Sequence, residues 1–237
     1  MKSGESDMKK IMIVNTSHAQ FDGTDKTTGL WLSELVHFYD EFHGDENFQV
    51  DLYNIQGGET PLDPVSLIPG ILDKVTKRYY QDERFMAQLK LTPSIDTADP
   101  TAYNAIYFTG GHGVMYDFPG NEYITQAVNT IYDNGGIVSS VCHGAAALLE
   151  VKRPNHRFFI DGKRLTGFSN AEELLANRKN IVPFELESEL KVKGAKYVKS
   201  KVPMKGFIQT DGALITGQNP ASAKKVAEAV KAALTSK

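Results

Sequence analysis

The chain has 237 residues, of which 41% are hydrophobic and 10% aromatic, enough to bury the core of one large domain. Its formal net charge of −3 at pH 7 supplies no basic field that would attract nucleic acid. No apolar run approaches the about 18 residues of a membrane-spanning helix, and the opening MKSGESDMKK lacks the hydrophobic segment of a signal peptide. The single cysteine excludes an internal disulfide, so we expect a cytoplasmic protein that binds neither nucleic acid nor membrane.

Short β-rich runs alternate with helical segments from the start of the chain. The run KKIMIVN predicts a strand over residues 9–15, and TTGLWLSELVHFYDEF after it predicts a crossover helix with apolar residues at helical spacing. Further strands are predicted over residues 47–55, 103–110 and 135–141, the last two joined by the helical EYITQAVNTIYDN. Repeated βα units predict an α/β fold with a mainly parallel sheet covered by helices on both faces.

Residues 57–100 interrupt this alternation between two predicted strands. They read GGETPLDP, then a helical GILDKVTKRYYQDERFMAQL, then TPSIDTADP. A small inserted cap explains so long an interruption better than a structureless loop does. We therefore predict one domain over residues 1–237, with a cap at about 57–100 and a disordered start at residues 1–7.

The last part of the chain carries turn signals and one clear helix signal. FFIDGKRLTGF and GFIQTDGALITG each contain Asp-Gly, which predicts tight hairpins. NPASAKKVAEAVKAAL predicts a closing helix with Asn219 as N-cap and Pro220 at its first position.

The only cysteine, Cys142, lies where a β-branched run stops and a run of helix formers begins. With Gly144 and Ala145 just beyond it, this strand-to-helix turn is similar to a nucleophile elbow, although the G-x-S-x-G spacing is absent. A position at a helix N-terminus predicts a lowered thiol pKa and a reactive thiolate. The structural alternative is a small buried core residue, which is the usual fate of a free cysteine.

The segment TGGHG ends another predicted strand. Its glycines allow the backbone to turn and present N–H groups, so Gly111 and His143 could donate their backbone N–H groups to an oxyanion. His112 either lines the pocket or stabilises this turn. His37, Glu41 and His43 are candidate metal ligands, but no H-x-x-x-H spacing occurs among them, and we predict no functional metal.

Five segments stand in a characteristic order along nearly the whole chain: TGLWLSELVHFYDEF, YFTGGHGVMYDFP, AVNTIYDNGGIVSSVCHGAAALL, RLTGFSNAEE and TDGALITGQNPASA. Together they resemble the DJ-1/PfpI superfamily, most closely its Hsp31-like branch of glyoxalase III and chaperone-like proteins. The resemblance implies a flavodoxin-like α/β/α sandwich with a small cap, usually a homodimer. It also implies a nucleophile at Cys142, the adjacent His143, the acid of the first helix at Glu34, and the acidic third member of a triad at Glu173, chosen over Glu172.

The resemblance implies a glyoxalase that needs neither glutathione nor a cofactor. The Cys142 thiolate would add to the aldehyde of methylglyoxal or a similar small 2-oxoaldehyde, Glu34 and His143 would relay protons, and water would release a 2-hydroxy acid such as D-lactate. A cysteine peptidase or amidase of the same superfamily is the nearest alternative. Others are a stress-response chaperone for unfolded proteins and an oxidation sensor that holds Cys142 as a sulfinate. An amidotransferase glutaminase is disfavoured because no histidine follows His156.

Overall fold

A six-stranded sheet forms the centre of the computed structural model, which describes residues 8–236. Residues 1–7, predicted to be disordered, lie outside this range. The strands are β1 (Lys9–Asn15), β2 (Phe48–Asn54), β3 (Ala105–Phe108), β4 (Ile137–Val141), β5 (Arg164–Leu165), β6 (Lys196–Tyr197), β7 (Ile208–Asp211) and β8 (Leu214–Gly217). The helices are α1 (Leu32–Phe42), α2 (Lys74–Tyr80), α3 (Glu83–Lys90), α4 (Val114–Asp117), α5 (Glu122–Asp133), α6 (Asn170–Leu175), α7 (Leu186–Val192) and α8 (Ala223–Thr235). Within residues 8–236, none of these helices has the length and apolar character needed to cross a membrane.

The strand order determines which edge of the sheet can bind a ligand. It reads β2-β1-β3-β4-β8-β7, and every neighbouring pair is parallel except β7 with β8. The chain moves outward from β1 to β2 through α1 and in the opposite direction from β3 to β4 through α5. Because such crossovers are right-handed, the two helices cover opposite faces of the sheet. The order reverses between β1 and β3, and ligands bind beyond the carboxyl ends of parallel strands at such a point.

Helix α1 packs against strand β3 in the core. Phe38 of α1 stacks on Tyr107 of β3 with ring centroids 3.7 Å apart, and both side chains are fully buried. The Tyr107 hydroxyl donates a hydrogen bond to the backbone carbonyl oxygen of Glu34 at 2.9 Å. The first turn of α1 is therefore held in place by both apolar packing and a buried hydrogen bond.

The predicted α/β class with a mainly parallel sheet is confirmed. The strand predicted over residues 9–15 agrees with β1, while α1 begins later than its apolar pattern. Its N-cap is Trp31, whose extended backbone keeps Leu30 outside the helix. At the end of the chain, Asn219 and Ser222 form a capping box on the turn that leads into α8.

The segment between β2 and β3 contains two helices where one helical stretch was predicted. Asp82 starts the second: its carboxylate accepts hydrogen bonds from the backbone N–H groups of Arg84 and Phe85 at 2.8 and 3.2 Å. Such a side-chain cap satisfies N–H groups that a helix start leaves free, so it favours a new helix at this residue. Helix α2 packs against α1. Leu62 of this segment pairs with Leu30, which lies between β1 and α1.

One of the predicted Asp-Gly hairpins is present and the other is absent. Strands β7 and β8 pair in antiparallel register, with Asp211 as the last residue of β7 and Gly212 and Ala213 as the turn between the strands. Asp161 and Gly162 lie in a turn, and β5 after it pairs with β6 in parallel register. The hairpin predicted at Asp161 and Gly162 was wrong because Asp-Gly favours a turn without deciding whether the flanking segments pair.

Gly144 lies where the turn after β4 packs against the end of β3. A Cβ at this position would collide with the carbonyl oxygen of Phe108 and lie 2.7 Å from that of Thr109. Because both obstacles are backbone atoms, we expect Gly144→Ala to lower the free energy of unfolding in urea by about 1–3 kcal/mol. For comparison, Gly23 has φ 74° and open space around it, so Gly23→Ala reports backbone strain without a collision. A wild-type stability for Gly144→Ala would contradict this account of the turn.

Candidate active site

Cys142 occupies a strained backbone position at the carboxyl end of β4. Its φ is 56°, a value that a side chain other than glycine rarely adopts. The chain then continues as a 3₁₀ turn over Cys142–Leu148, where an α-helix start was expected. The thiol is the free sulfur of the chain and is buried. The chain therefore changes direction sharply at Cys142, directly after β4.

His143 connects the thiol to a carboxylate. Its Nδ1 lies 3.3 Å from Cys142 Sγ, and its Nε2 lies 2.6 Å from Glu173 Oε2. An ionised carboxylate can only accept hydrogen bonds, so Nε2 carries the proton and donates a hydrogen bond to Glu173. Nδ1 is then the acceptor that faces the thiol. Burial by itself would raise the pKa of Glu173, but His143 and His112 outweigh it and hold this pKa well below its usual range.

His112 is the fourth member of this cluster, and the sequence left its role open. Its Nε2 lies 2.6 Å from Glu173 Oε1, and its ring centroid is 4.1 Å from that of His143. Burial, together with the charge that His143 can carry, lowers the pKa of His112, although Glu173 opposes this shift. The neutral ring can therefore donate from Nε2 to Glu173. The signal that pointed to His112 was its place in GGHG after a strand, but nothing local indicated Glu173 as its partner.

Glu172 has a different environment from the neighbouring Glu173. It forms a capping box with Ser169 at the start of α6, and its Oε1 accepts hydrogen bonds from Met204 N and Asn219 Nδ2, each at 2.8 Å. These contacts attach α6 to the loop before β7 and to the turn between β8 and α8. The structure thus brings Glu173, and not Glu172, to His143.

Glu34 lies in the first turn of α1 with no exposed surface. A Cβ at Gly110 would collide with its Oε2 and lie 3.0 Å from Cys142 Cβ, so the carboxyl and the cysteine share the space beside this glycine. Among residues 8–236, neither carboxyl oxygen of Glu34 has a partner that meets both the distance and the angle of a hydrogen bond. Burial raises the pKa of Glu34 to about 8, although the nearby Cys142 thiol and Gly110 N–H reduce the rise. The carboxyl is therefore protonated at pH 7.

The thiol does not have the lowered pKa that its sequence position predicted. Burial raises the pKa of Cys142 well above its usual value, and the charge that Glu34 can carry raises it further. The backbone N–H of His143, which lies against the sulfur, counteracts only part of this rise. The expectation failed because it counted the helix terminus and not the loss of water around the sulfur. In the resting site the thiol keeps its proton beside the His143 acceptor.

Gly111 is constrained by conformation and by space. Its φ is 96°, and a Cβ would collide with the carbonyl oxygen of Gly29 and lie 2.7 Å from Trp31 N. Its N–H donates no hydrogen bond within the part of the chain that the structure describes. The Gly111 N–H lies in the turn after β3, and the His143 N–H lies in the turn after β4, next to Cys142.

The earlier candidate metal ligands lie apart. His37 Nε2 is 2.7 Å from Asp73 Oδ2, Glu41 is 3.6 Å from Lys231 Nζ, and the His43 ring stacks on Tyr39. In residues 8–236 the atoms placed closely enough to hold an ion are those of the histidine pair and Glu173, all within 4.8 Å of one another. An ion there would have to replace the hydrogen bonds that these groups already make.

A pocket of about 670 Å³ opens beside His112. Its walls come from the start of α1, from the segment between β2 and β3, and from the chain around α6 and α8. The lining side chains are Trp31, Ser33, His37, Asp63, Val65, Ile71, Asp73, His112, Ala176, Arg178, Met204, Pro220, Ala221 and Lys224. His112 is thus the member of the cluster with Cys142, His143 and Glu173 that lines this pocket.

The sequence profile of the DJ-1/PfpI family matches residues 71–233, more than half of the chain. The chain belongs to the DJ-1/PfpI family. Glyoxalase 3 of Candida albicans is 30% identical over 95% of this chain and 98% of its own length. The glutathione-independent glyoxalase HSP31 of Saccharomyces cerevisiae is 30% identical over 92% of this chain and 95% of its own. The family indicated by the five sequence segments is thus confirmed.

Two solved structures share the fold over nearly the whole chain. Rapid Encystment Protein 24 KDa of Francisella tularensis has a TM-score of 0.92 at 39% identity and covers 96% of this chain and 99% of that one. Glyoxalase III of Candida albicans has a TM-score of 0.84 at 30% identity and covers 96% and 98%. The predicted flavodoxin-like architecture is therefore the one that these relatives adopt.

The titration of Cys142 in this DJ-1/PfpI protein is directly measurable because the chain has no other thiol. Since burial raises its pKa, we expect the rate of iodoacetamide alkylation to keep rising beyond pH 8.5 without an earlier plateau. Intact mass reports the extent of alkylation at each pH. A plateau at or below pH 7 would show instead that the site stabilises a thiolate at rest.

The buried carboxyl of Glu34 should make stability depend on pH. Its pKa rises from 4.5 to about 8 on folding, so the folded state holds a proton that the unfolded chain has released between these values. This contribution to stability is complete below pH 4.5 and is lost as the pH rises to about 8. We therefore expect Glu34→Gln to gain stability relative to the wild type over this range, by up to roughly 5 kcal/mol.

Urea denaturation at several pH values measures this difference. Glu122→Gln is the matched control, because it removes an exposed carboxyl from the first turn of α5. A difference between Glu34→Gln and the wild type that stays constant with pH would contradict the raised pKa of Glu34.

Proposed function

We propose that this protein is a glutathione-independent glyoxalase that converts methylglyoxal and similar 2-oxoaldehydes into 2-hydroxy acids, with D-lactate as the product from methylglyoxal. The observation that carries the proposal is the position of the Cys142 thiol, 3.3 Å from the free Nδ1 of His143 and beside the protonated carboxyl of Glu34. The names of two relatives, glyoxalase 3 and glutathione-independent glyoxalase, support it.

The first step forms a bond between sulfur and the aldehyde carbon. As the thiol attacks, its proton passes to Nδ1 of His143, and the resulting imidazolium is stabilised by the buried carboxylate of Glu173. The aldehyde oxygen becomes the oxyanion of a hemithioacetal. The N–H groups of Gly111 and His143 are the donors proposed for this oxygen.

The second stage moves a hydrogen between adjacent carbons of the substrate. Removal of the proton from the former aldehyde carbon gives an enediol, and protonation of the neighbouring carbon gives a thioester of the 2-hydroxy acid. Glu34 first gives its proton to the oxyanion, since its raised pKa suits a group that both gives and takes a proton near pH 7. The resulting carboxylate takes the proton from the former aldehyde carbon while the His143 imidazolium protonates the keto oxygen, which gives the enediol. Glu34 then returns the proton to the neighbouring carbon, and His143 takes the proton of the hydroxyl on the carbon bonded to sulfur. Water then cleaves the thioester. The sum is one substrate plus one water, so the reaction balances without glutathione or a redox cofactor.

We also propose a cytoplasmic homodimer, as the family resemblance implies. The reaction class would be that of D-lactate dehydratase, a lyase, run toward the acid. Light scattering at micromolar concentrations measures the assembly, and a mass of 26.2 kDa would contradict the dimer.

D-Lactate release from methylglyoxal without glutathione is the test of the activity. We expect wild-type protein to form D-lactate and Cys142→Ser to form none above background, because serine in place of the thiol is a far weaker nucleophile. Chiral analysis of the product distinguishes enzymatic D-lactate from a racemic background. Equal rates for the two proteins would overturn the proposed function.

Glu34→Gln tests the proton relay separately from the nucleophile. The substitution keeps size and hydrogen bonding but removes the titratable proton, so kcat should fall by about 10²–10⁴-fold. Alkylation of Cys142 should survive, which shows that the fold and thiol are intact. Glu41→Gln, on the same helix but paired with Lys231, should change kcat by less than about twofold. A near-wild-type kcat for Glu34→Gln would exclude this relay.

A cysteine peptidase or amidase is the second candidate, and the hydrogen-bonded series Cys142, His143 and Glu173 favours it. Amide hydrolysis needs this series and the oxyanion donors, but no proton transfer between substrate carbons. Release of a fluorophore from peptide amides that survives Glu34→Gln and is lost in Cys142→Ser would support this alternative.

A further inference from the structure

The acidic side chains that line the pocket are already engaged by other groups. Asp63 accepts hydrogen bonds from Val65 N at 2.9 Å and Thr28 Oγ1 at 3.0 Å. Asp73 faces Nε2 of His37 at 2.7 Å and caps α2. Their charges are therefore balanced by fixed donors. A ligand that enters the pocket meets no uncommitted carboxylate from these residues.

Arg178 differs from them. Among residues 8–236 its guanidinium forms no ion pair within 4.0 Å, and the hydrogen bonds of the residue use only its backbone. The other cation of the pocket, Lys224, has Glu228 at 3.9 Å. A half-buried arginine with free N–H groups at a pocket wall is a ready partner for an anion.

The backbone holds Arg178 beside the catalytic cluster. Helix α6 ends in a Schellman motif: Asn177 adopts φ 54° and donates to Leu174 O at 3.0 Å, and Arg178 N donates to Glu173 O at 3.2 Å. The residue whose carboxylate binds both histidines therefore also fixes the position of the arginine backbone. Little adjustment of the chain is needed to place the guanidinium.

A buried aromatic ring supports the side chain. The Arg178 Cζ lies 5.0 Å from the centroid of the fully buried Phe21 ring, whose centroid is 5.3 Å from that of His112. A guanidinium over a ring uses its face for this contact and leaves the N–H groups at its edge free. The Phe21 ring thus lies between Arg178 and His112, and both of these residues line the pocket.

We propose that Arg178 binds the carboxylate of substrates that are 2-oxoaldehydes at one end and carboxylates at the other. This rests on the proposed glyoxalase function and names the substrate class of the same site. The planar fork of the guanidinium matches a carboxylate with two parallel hydrogen bonds. A pocket of about 670 Å³ is in the range that takes ligands larger than a three-carbon aldehyde. For 4,5-dioxopentanoate the balanced reaction adds one water and gives 2-hydroxyglutarate, without an oxidant or reductant.

The experiment compares 4,5-dioxopentanoate with the uncharged 2-oxopentanal, which has the same chain length. Wild-type protein should have the higher kcat/KM for the anion. Arg178→Gln should raise KM for the anion about tenfold or more. Its KM for 2-oxopentanal should rise by a factor at least fivefold smaller. Added salt should raise KM for the anion and not for the neutral substrate. Arg178→Lys, which keeps the charge but not the fork, should recover part of the preference.

Lys179→Gln is the matched control. It removes the same charge from the next residue, which is exposed, pairs with Glu185 at 3.4 Å and does not line the pocket. We expect it to keep the wild-type preference. The proposal would be overturned if Arg178→Gln lowered kcat/KM equally for both substrates. It would also be overturned if the wild-type protein had no higher kcat/KM for the anion.

A binding measurement separates this proposal from the proposed function. Calorimetry on Cys142→Ser protein compares 2-hydroxyglutarate with 2-hydroxypentanoate, which lacks only the remote carboxylate. Tighter binding of 2-hydroxyglutarate that is lost with Arg178→Gln supports the arginine site even if neither aldehyde is turned over, a result that would count against the glyoxalase alone. Turnover of 2-oxopentanal with equal binding of the two acids would overturn the arginine site alone.

Discussion

The carboxylate of Glu173 accepts hydrogen bonds from Nε2 of His112 and Nε2 of His143, each at 2.6 Å, and the rest of the site depends on this double contact. It sets the tautomer of both rings, so that Nδ1 of His143 is left to face the thiol. It also joins three segments that are distant in the chain: the turn after β3, the turn after β4 and helix α6. Because the carboxylate is buried, loss of either ring would leave one of its oxygens without this hydrogen-bond donor.

Two glutamates near the cysteine have opposite environments. Glu173 faces two imidazoles, which hold its pKa well below the usual range, whereas Glu34 is enclosed by apolar packing that raises its pKa to about 8. One carboxyl is therefore ionised and the other protonated at the same pH. This separation supports the proposed roles, in which Glu173 stabilises a cation and Glu34 carries a transferable proton.

Helix α6 combines structural and chemical tasks in consecutive residues. Glu172 closes the capping box with Ser169 and binds the loop that carries Met204, while Glu173 faces the histidines. The Schellman motif at the other end of the helix adds Arg178 to the same region. A helix of six residues thus positions the carboxylate of Glu173 and, just beyond its C-terminus, the pocket cation Arg178. Its N-terminal capping box and C-terminal Schellman motif satisfy backbone groups that the two helix ends leave free.

The sequence by itself determined the alternation of strands and helices, the turn at Cys142 and the family, because these depend on apolar periodicity, on glycines at strand ends and on short motifs. It did not show that His112 binds Glu173, which lies 61 positions away, nor that β5 pairs with β6 in parallel. It also predicted the wrong direction for the pKa of Cys142. Only the tertiary structure decided these points, because contacts between distant segments and the removal of water from a side chain arise when the layers pack together. The local sequence pattern shows neither the contacts between distant segments nor the loss of water around a side chain.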